Sequence, residues 1–492
     1  MTVYRPYCRV DTFPHQKLQI YSAGNFGEIA PERLSPLSWS LIGSPMERGT
    51  RRFVDRILNN PVWSKGADYV FTGYFYCRPY HNLTAYCLIA DGVNIIGPQD
   101  VTDAYFEGIP PPPSPIGARR SSIARNLSTV KMANELVTLR PRVVELEQQV
   151  FQFERLVRSV IRLGQDWRLG ELASEGSRLL ERAWYLHIVG TSGSIVAEVA
   201  QNRVIERLDP KSLSLVNWFK EPAELPWTGL IGLTSIGDGP AEFLDYGFYE
   251  IMDSVEPWSD FVIQPVGRSD SRSGRGSHIT PRQALVDMNT GIRGKIIDSS
   301  VLFLGDVMSL RERSKSLAMR LLHAYRLFVP HIARMRDLDP LGLPYVSIEE
   351  LRGDLPDAAE IDARRVSCFN SINFEAPDYL DFSSDLDAQI QPKRTARGVS
   401  GGMHTGTVIG LEDISVAAGS VLVCESADAN IMPLLPFLGA VVTARGSQYS
   451  HVAIICREMG IPAVVSHPIA REIFVGQKVQ VNGSTAEVKI VE

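Results

Sequence analysis

The 492-residue sequence lacks several features that mark particular classes of protein. No uninterrupted apolar run approaches the ~20 residues that a membrane helix needs, and the first residues contain no apolar signal core. The six cysteines are scattered without a Cys-x-x-Cys pair, which gives no zinc signature and suits reduced thiols. The sequence therefore predicts a cytoplasmic protein with no membrane segment and no metal site.

The sequence also lacks the features of proteins that bind nucleic acids and of proteins that bind nucleotides through a Walker-type loop. The formal net charge of -6 argues against a nucleic-acid-binding protein. No Walker-type Gly-x-x-x-x-Gly-Lys-Ser/Thr sequence occurs, so no phosphate-binding loop of that kind is predicted. What remains is an ordinary composition, 44% hydrophobic and 22% charged, in a chain whose length predicts two to four domains.

The most informative stretch begins at Gly446, in a turn that follows the apolar strand predicted at 440–443. Ser450 is a candidate N-cap, His451 begins a helix, and Gly460 ends that helix as a left-handed residue does. A buried strand is predicted directly after it. One imidazole thus stands at a helix N-terminus, where N–H groups and the positive end of the dipole favour anions. A histidine in this place is well positioned to carry a phosphoryl group.

This stretch resembles the phosphohistidine signature of the swivelling domain in the phosphoenolpyruvate synthase and pyruvate phosphate dikinase superfamily. That signature is Gly-Gly-x-Thr-Ser-His-Ala-Ala-Ile-x-Ala-Arg-Glu-x-Gly-Ile-Pro-Ala-Val. The positions that match it are Gly446, Ser450, His451, Ala453, Ile454, Arg457, Glu458, Gly460, Ile461, Pro462, Ala463 and Val464. Four positions depart from it, namely Ser447, Tyr449, Val452 and Cys456. The resemblance implies that His451 is the catalytic residue and becomes phosphorylated.

The residues that the resemblance implies in support of phosphoryl transfer are Arg445, Gly446, Ser447, Tyr449, Ser450 and Arg457. Tyr449 stands where the family has a threonine hydroxyl, and its phenol can still donate a hydrogen bond. Two alternatives stay open. His451 can be an ordinary histidine at a helix start with a structural partner, and Arg457 can be a surface residue in a local ion pair.

Residues 1–115 are rich in aromatic side chains, and two strands are predicted at 69–78 and 84–90. The aromatic residues indicate either a packed core, which is the favoured interpretation, or a pocket for an aromatic acceptor. The segments 24–40 and 78–85 resemble the acceptor-binding middle domain of rifampin phosphotransferase and related synthases. This region is therefore interpreted as the aromatic-rich, β-containing part of an acceptor-binding domain.

Residues 116–383 are predicted to be the helical part of that acceptor-binding domain. Apolar periodicity runs through 130–164, where Pro141 should break or kink the helix. A second long helix is predicted at 301–336, and its residues 310–315 resemble a helix of the family's middle domain. The candidate acceptor-binding residues of the two regions are Trp39, Arg78, His81, Asn82, His278, Arg311 and Lys315.

Residues 384–396 are polar and without periodicity, which predicts a linker. Residues 397–492 are predicted to form the α/β swivelling phosphohistidine domain, with short strands at 398–402, 406–408, 419–423, 440–443 and 479–483. The predicted fold class is multidomain α+β: a mainly helical middle domain, an aromatic β-containing N-terminal part and this C-terminal α/β domain.

The resemblance implies a phosphotransferase of the dikinase type. The sequence shows no ATP-grasp domain before the middle domain, so ATP and Mg²⁺ are expected on a separate ATP-grasp subunit, with a phosphohistidine intermediate on this chain. The favoured acceptor is a phenol, as in phenylphosphate synthase. An antibiotic acceptor, a non-catalytic phosphocarrier or regulatory protein, and a scaffold with a degenerate site remain alternatives.

Overall fold

The structure is a computed structural model of the whole chain. The residues it describes are 9–24, 26, 34–59, 68–106, 109–112, 121–205, 292–372, 377, 379–383, 396–410, 418–424, 434–444, 453, 456–457, 459–465 and 468–491.

Nine α-helices and eleven β-strands have bounds within this part of the chain. The helices are α1 Pro36–Leu58, α2 Leu83–Asp91, α3 Pro98–Tyr105, α4 Ser122–Val137, α5 Leu139–Arg162, α6 Leu169–Ile205, α7 Ile292–Met335, α8 Ile348–Arg352 and α9 Ala358–Ile372. The strands are β1 Ile20–Ser22, β2 Thr72–Phe75, β3 Arg78–Asn82, β4 Tyr379–Asp381, β5 Arg397–Ser400, β6 Met403–Ile409, β7 Ser420–Cys424, β8 Leu438–Thr443, β9 Ala463–Val465, β10 Lys478–Asn482 and β11 Glu487–Ile490. The protein is thus mixed, with helices and sheets, as the predicted fold class requires.

The first sheet is small and antiparallel, in the order β2-β3-β1-β4. Its last strand comes from far along the chain, since Leu380 pairs with Tyr21. The large hydrophobic core beside this sheet likewise contains residues from Leu18 to Cys368. Aromatic side chains of the N-terminal region are buried in it, so in the described conformation they form packed core, as the favoured interpretation expected.

The prediction of two strands at 69–78 and 84–90 is correct only for residues 72–75, because residues 76 and 77 form a turn, residues 78–82 form β3 and residues 83–91 form α2. The chain forms a hairpin, with β2 and β3 joined at Tyr76 and Cys77, which both have positive φ, of 57° and 58°. The following residues form helix α2, because the Oδ1 of Asn82 accepts a hydrogen bond from the Ala85 N–H and caps that helix. A turn with two positive φ values usually contains glycine or asparagine, which explains why the sequence did not reveal it.

The predicted break in the helix at 130–164 is confirmed, three residues before Pro141. Helix α4 ends and α5 begins on either side of Thr138, so Pro141 falls in the first turn of α5. Backbone N–H groups there have no intrahelical acceptor, and a proline costs little. The apolar stripe of α5 is core from Leu139 to Val160, although Leu156 is exposed.

A buried carboxylate connects α1 to β2. Glu47 is 2% exposed, and its two oxygens accept hydrogen bonds from the N–H groups of Val70, Phe71 and Thr72 at 2.9, 2.9 and 3.1 Å. The Thr72 hydroxyl and the Arg51 guanidinium also donate to it. The hydrogen bonds fix residues 70–72, where the chain enters the hairpin, to Glu47 of helix α1.

The second sheet contains seven strands in the order β11-β10-β6-β7-β8-β9-β5. Strands β6 to β9 are parallel neighbours, while β5 and β10 pair antiparallel with β9 and β6. Each strand predicted between residues 398 and 483 is confirmed to within a few residues, and β11 is additional. A parallel centre places the carboxyl ends of four strands along one edge.

None of the helices in the described part of the chain is long and apolar enough to cross a membrane. The described cysteines are buried and form no disulfide bond; they are Cys77, Cys87, Cys368, Cys424 and Cys456.

Candidate functional site

The predicted phosphohistidine segment lies in the connection from β8 to β9. The chain leaves β8 at Thr443 and enters β9 at Ala463, and the two strands are parallel, so the connection crosses over the sheet. Thr443 is at the carboxyl edge of the parallel strands. Open α/β sheets bind ligands outside that edge. His451 itself lies outside the described residues.

The C-terminal turn of the predicted helix is well defined. Residues 453, 456, 457 and 459 are helical, and Gly460 has φ of 63°. The Ile461 N–H donates to the Cys456 carbonyl at 2.8 Å, and the Gly460 N–H donates to the Arg457 carbonyl at 3.2 Å. These bonds form a Schellman motif, and the side chains of Cys456 and Ile461 on either side of it are buried in the same core cluster. The predicted helix end at Gly460 is confirmed.

Because Gly460 has a positive φ, the cost of replacing it is expected to depend on how well the new residue tolerates that conformation. Gly460→Val should lower the free energy of unfolding of this domain by about 1–2 kcal/mol, because a β-branched residue is strained at positive φ. Gly460→Asn should cost less than about 1 kcal/mol, since asparagine tolerates the left-handed region. Urea unfolding measures both. Equal costs for the two variants would contradict the assigned turn.

Most of the residues predicted to support phosphoryl transfer belong to one undescribed segment. Outside the described residues lie Arg445, Gly446, Ser447, Tyr449, Ser450 and His451. Arg457 is described, and its Nη1 donates to the Val399 carbonyl of β5 at 3.1 Å. This contact attaches the C-terminal end of the helix to strand β5 of the sheet. A contact of Arg457 with a phosphoryl group stays a prediction.

Thr443 is a candidate that sequence reasoning did not single out. Its side chain is 1% exposed, and among the described residues its Oγ1 has no hydrogen-bond partner. A buried hydroxyl without a partner is uncommon and needs an explanation. The signal in the sequence was weak: a threonine ends an apolar run just before the polar stretch that contains His451.

Among the described residues predicted to bind an acceptor, His81 has the pKa that burial changes most. It is 3% exposed, stacks on Phe26 with ring centroids 4.2 Å apart, and meets Tyr86 and Phe106 edge to face. Burial, with a smaller contribution from the charge of His187, lowers the pKa of His81 to about 3. The imidazole is therefore neutral at physiological pH and suits hydrogen bonding to a neutral hydroxyl.

The neutral state of His81 predicts a pH dependence of stability. The unfolded chain has a histidine pKa near 6.5 and the folded one about 3, so protonation favours unfolding as the pH falls through this range. The free energy of unfolding should lose about 2 kcal/mol from His81 between pH 7 and pH 5. His81→Gln should remove that part of the loss in urea unfolding at the two pH values. An unchanged pH dependence in the variant would contradict the assignment.

The neighbouring candidates on and near β3 have structural contacts. Asn82 caps α2, and its Nδ2 donates to the Leu18 carbonyl at 2.9 Å. Trp39 is 5% exposed and stacks on Tyr74 with centroids 5.1 Å apart. Because side chains alternate along a strand, Arg78 and Asn82 project to the face opposite His81. The structure therefore does not gather these candidates around one point.

A second group lies where α6 and α7 pack. Gly190 lets the helices approach closely, since a Cβ there would lie 2.9 Å from the Cβ of Arg311. His187 of α6 has its Nδ1 3.3 Å from the Arg311 carbonyl, and Arg311 is 5% exposed. Lys315 is one turn further along α7 and is half-buried. His187, which the sequence did not single out, thus contacts the Arg311 backbone, and its charge contributes to the lowered pKa of His81.

His278, the remaining acceptor candidate, lies outside the described residues. Among the residues that are described, no group of three or more histidine, cysteine or acidic side chains could hold a metal ion.

Comparison with known proteins concerns the C-terminal region. Residues 416–486 match the family model of the PEP-utilising enzyme, mobile domain. This segment carries a PEP-utilising mobile domain. It contains β7 to β10 and His451, so the match covers three of the four parallel strands, β7 to β9.

Full-length relatives show the same local similarity. The chain is 46% identical over 69 residues to the phosphoenolpyruvate synthase of Neisseria meningitidis serogroup B, which covers 14% of this chain and 9% of that protein. It is 36% identical over 92 residues to a probable phosphoenolpyruvate synthase of Pyrococcus abyssi, covering 18% and 11%. The matches thus span about a tenth of the length of these relatives. They support a place in the PEP-utilising superfamily.

Proposed function

We propose that this chain is the phosphotransferase subunit of a split dikinase-type enzyme. His451 receives a phosphoryl group from ATP held with Mg²⁺ on a separate ATP-grasp subunit and passes it to a hydroxyl of a small organic acceptor. The observation that carries the proposal is the match of residues 416–486 to the mobile domain, with His451 in its phosphohistidine signature.

The proposed reaction has three steps. An imidazole nitrogen attacks the β-phosphorus of ATP, an N–P bond forms, and AMP leaves with the electrons of the broken P–O bond. Water then cleaves the terminal phosphate from the histidine as inorganic phosphate. The acceptor oxygen attacks the remaining phosphorus, its proton goes to a base or to water, and the N–P electrons return to the ring. The covalent intermediate separates one difficult transfer into easier ones.

The carboxyl edge of β6 to β9 supports the first two steps. Charge on the phosphoryl oxygens requires preorganised donors. The buried hydroxyl of Thr443 is at this edge. A hydroxyl can accept a hydrogen bond from an N–H group or donate one to a phosphoryl oxygen. In the proposal it donates to a phosphoryl oxygen.

Transfer to the acceptor requires the mobile domain to move on the predicted linker, 384–396. One described contact joins the regions on either side of that linker. Arg397 of β5 donates to the Asp103 side chain at 2.5 Å and to its carbonyl at 2.8 Å, and both side chains are partly exposed. A partly exposed ion pair contributes at most about 1 kcal/mol. Breaking it would oppose such a movement only weakly.

The favoured acceptor is a phenol. In the described conformation the rings of Phe26, Tyr86 and Phe106 pack directly on the neutral imidazole of His81. A hydroxylated aromatic molecule would take the place of one of these rings when this part of the core opens. Arg311 and Lys315 would supply positive charge for the transferred group. An antibiotic hydroxyl is the second choice, with the same chemistry.

Product stoichiometry tests the proposal. The chain, an ATP-grasp subunit and ATP are incubated with a panel of phenols, and AMP is quantified. An enzyme forms AMP continuously when the correct acceptor is present. A phosphocarrier or regulatory protein stops at one AMP per chain with every acceptor, and a degenerate scaffold forms none. Either of these results would overturn the proposed enzyme activity.

A further inference from the structure

A cavity of about 530 Å³ opens between α1, the end of α4, α5 and α6, far in sequence from the phosphohistidine segment. Its lining is dominated by guanidinium groups and one aromatic ring, contributed by Arg52, Arg56, Arg142, Arg178, Arg182 and Tyr185. These side chains recur every three or four residues on their helices, so each helix presents a single face to the cavity.

Buried and half-exposed acceptor side chains hold three of the arginines in place, namely Arg56, Arg142 and Arg182. Glu135, whose side chain is 4% exposed, accepts from Arg56 at 2.7 Å, from Arg142 at 2.6 Å and from the Tyr185 hydroxyl. Burial opposes the ionisation of Glu135, but the hydrogen bonds from Arg142 and Tyr185 outweigh it and lower its pKa. One ionised carboxylate thus orients two guanidinium groups. Arg182 is held by Glu145 and Gln149 at 2.6 and 2.9 Å.

The carboxylates do not balance the charge. The lining contains five arginines and two glutamates, Glu145 and Glu181. The ion-pair partners outside the lining are Arg48 on Glu181, Glu175 on Arg178, and Glu135 on Arg56 and Arg142. Together, six arginines against four glutamates leave an excess of two positive charges. Arg52 has no carboxylate partner among the described residues and lies over the Tyr185 ring, 5.3 Å from its centroid. This local excess occurs in a chain whose net charge is -6, so it is not a consequence of overall composition.

We propose that this cavity is a binding site for a small phosphorylated anion, separate from the phosphohistidine segment. Two excess charges match a phosphate dianion, and guanidinium forks bind phosphate oxygens in pairs. The volume suits a phosphate ester rather than a bare ion. Arg52 is the residue with most to offer the ligand, because it has no competing carboxylate. The site is independent of the reaction proposed above.

Calorimetric titration of the full chain with inorganic pyrophosphate, at ionic strength held constant with chloride, tests the site. Arg52→Gln is expected to weaken binding by about tenfold or more, the effect of losing one charge-assisted contact. Arg52→Lys should retain part of the affinity. The matched control is Arg155→Gln, an exposed arginine of α5 that does not line the cavity, and it should bind as the unmodified chain does.

Three results would overturn the proposal. They are absence of saturable pyrophosphate binding, equal weakening by Arg52→Gln and Arg155→Gln, and binding that His451→Ala abolishes while Arg52→Gln leaves it intact. Tricarballylate, a tricarboxylate whose charge at neutral pH is close to that of pyrophosphate, provides the second arm. Preference for pyrophosphate supports a phosphorylated ligand, and equal affinity for tricarballylate would contradict that class.

Discussion

Replacement of His451 by asparagine is expected to abolish phosphoryl transfer, with turnover falling by at least about a thousandfold. Asparagine preserves a polar group of similar size but has no lone pair able to form an N–P bond at phosphorus. The measurement is AMP formation by the chain with its ATP-grasp subunit and a phenol acceptor. Binding of the two subunits, measured separately, should be unchanged, because the substitution removes a nucleophile.

The matched control for this experiment is His467→Asn. His467 is in the same domain, sixteen positions further along, and lies outside the signature. It should retain turnover within about twofold of the unmodified chain, as expected for a residue without a part in the chemistry. Loss of turnover in both variants, or in neither, would contradict the assignment of His451 as the phosphorylated residue.

Removal of the Glu47 carboxylate should have the largest effect on stability. Glu47→Ala leaves the buried N–H groups of Val70, Phe71 and Thr72 without their acceptor, and the hydroxyl of Thr72 as well. Each unsatisfied buried group costs about 1–3 kcal/mol, so a total loss of about 4 kcal/mol is expected. Glu47→Gln keeps one acceptor oxygen and should lose about half as much. Urea unfolding measures both variants.

The control for Glu47 is Glu145→Ala. Glu145 also pairs with an arginine, Arg182, but its side chain is 56% exposed. Water replaces the lost partner there, so the substitution should cost less than about 1 kcal/mol. Similar costs at positions 47 and 145 would contradict the view that backbone donors, rather than the ion pair with Arg51, make Glu47 important.

The strands between residues 397 and 482 and the helix end at Gly460 could be predicted because their signals are local. Short apolar strands alternate with glycine turns, and the left-handed Gly460 follows a helix pattern directly, so neighbouring residues carried the information. Pro141 was equally informative, since proline is excluded from helix interiors by its own geometry. In such cases the pattern and the tertiary structure favour the same answer.

The N-terminal region was less predictable because its structure depends on distant partners. Residues 84–90 have strand-like composition, yet they form a helix that Asn82 caps and the large core buries. Tyr76 and Cys77 adopt the left-handed conformation without glycine. The contacts of Glu47 with β2 and the proximity of His187 to Arg311 join segments far apart in sequence. No periodicity or motif announces such contacts.

The most direct test of the account is phosphorylation of the chain itself. The purified chain and its ATP-grasp subunit are incubated with ATP labelled at the β- or the γ-phosphorus, and acid-labile label on the chain is measured. A phosphohistidine at His451 predicts that, once the terminal phosphate has been released, label remains from the β position alone, absent from His451→Ala and present in His467→Asn. Lack of label in the presence of an active subunit, or label that persists in His451→Ala, would contradict a phosphohistidine at His451.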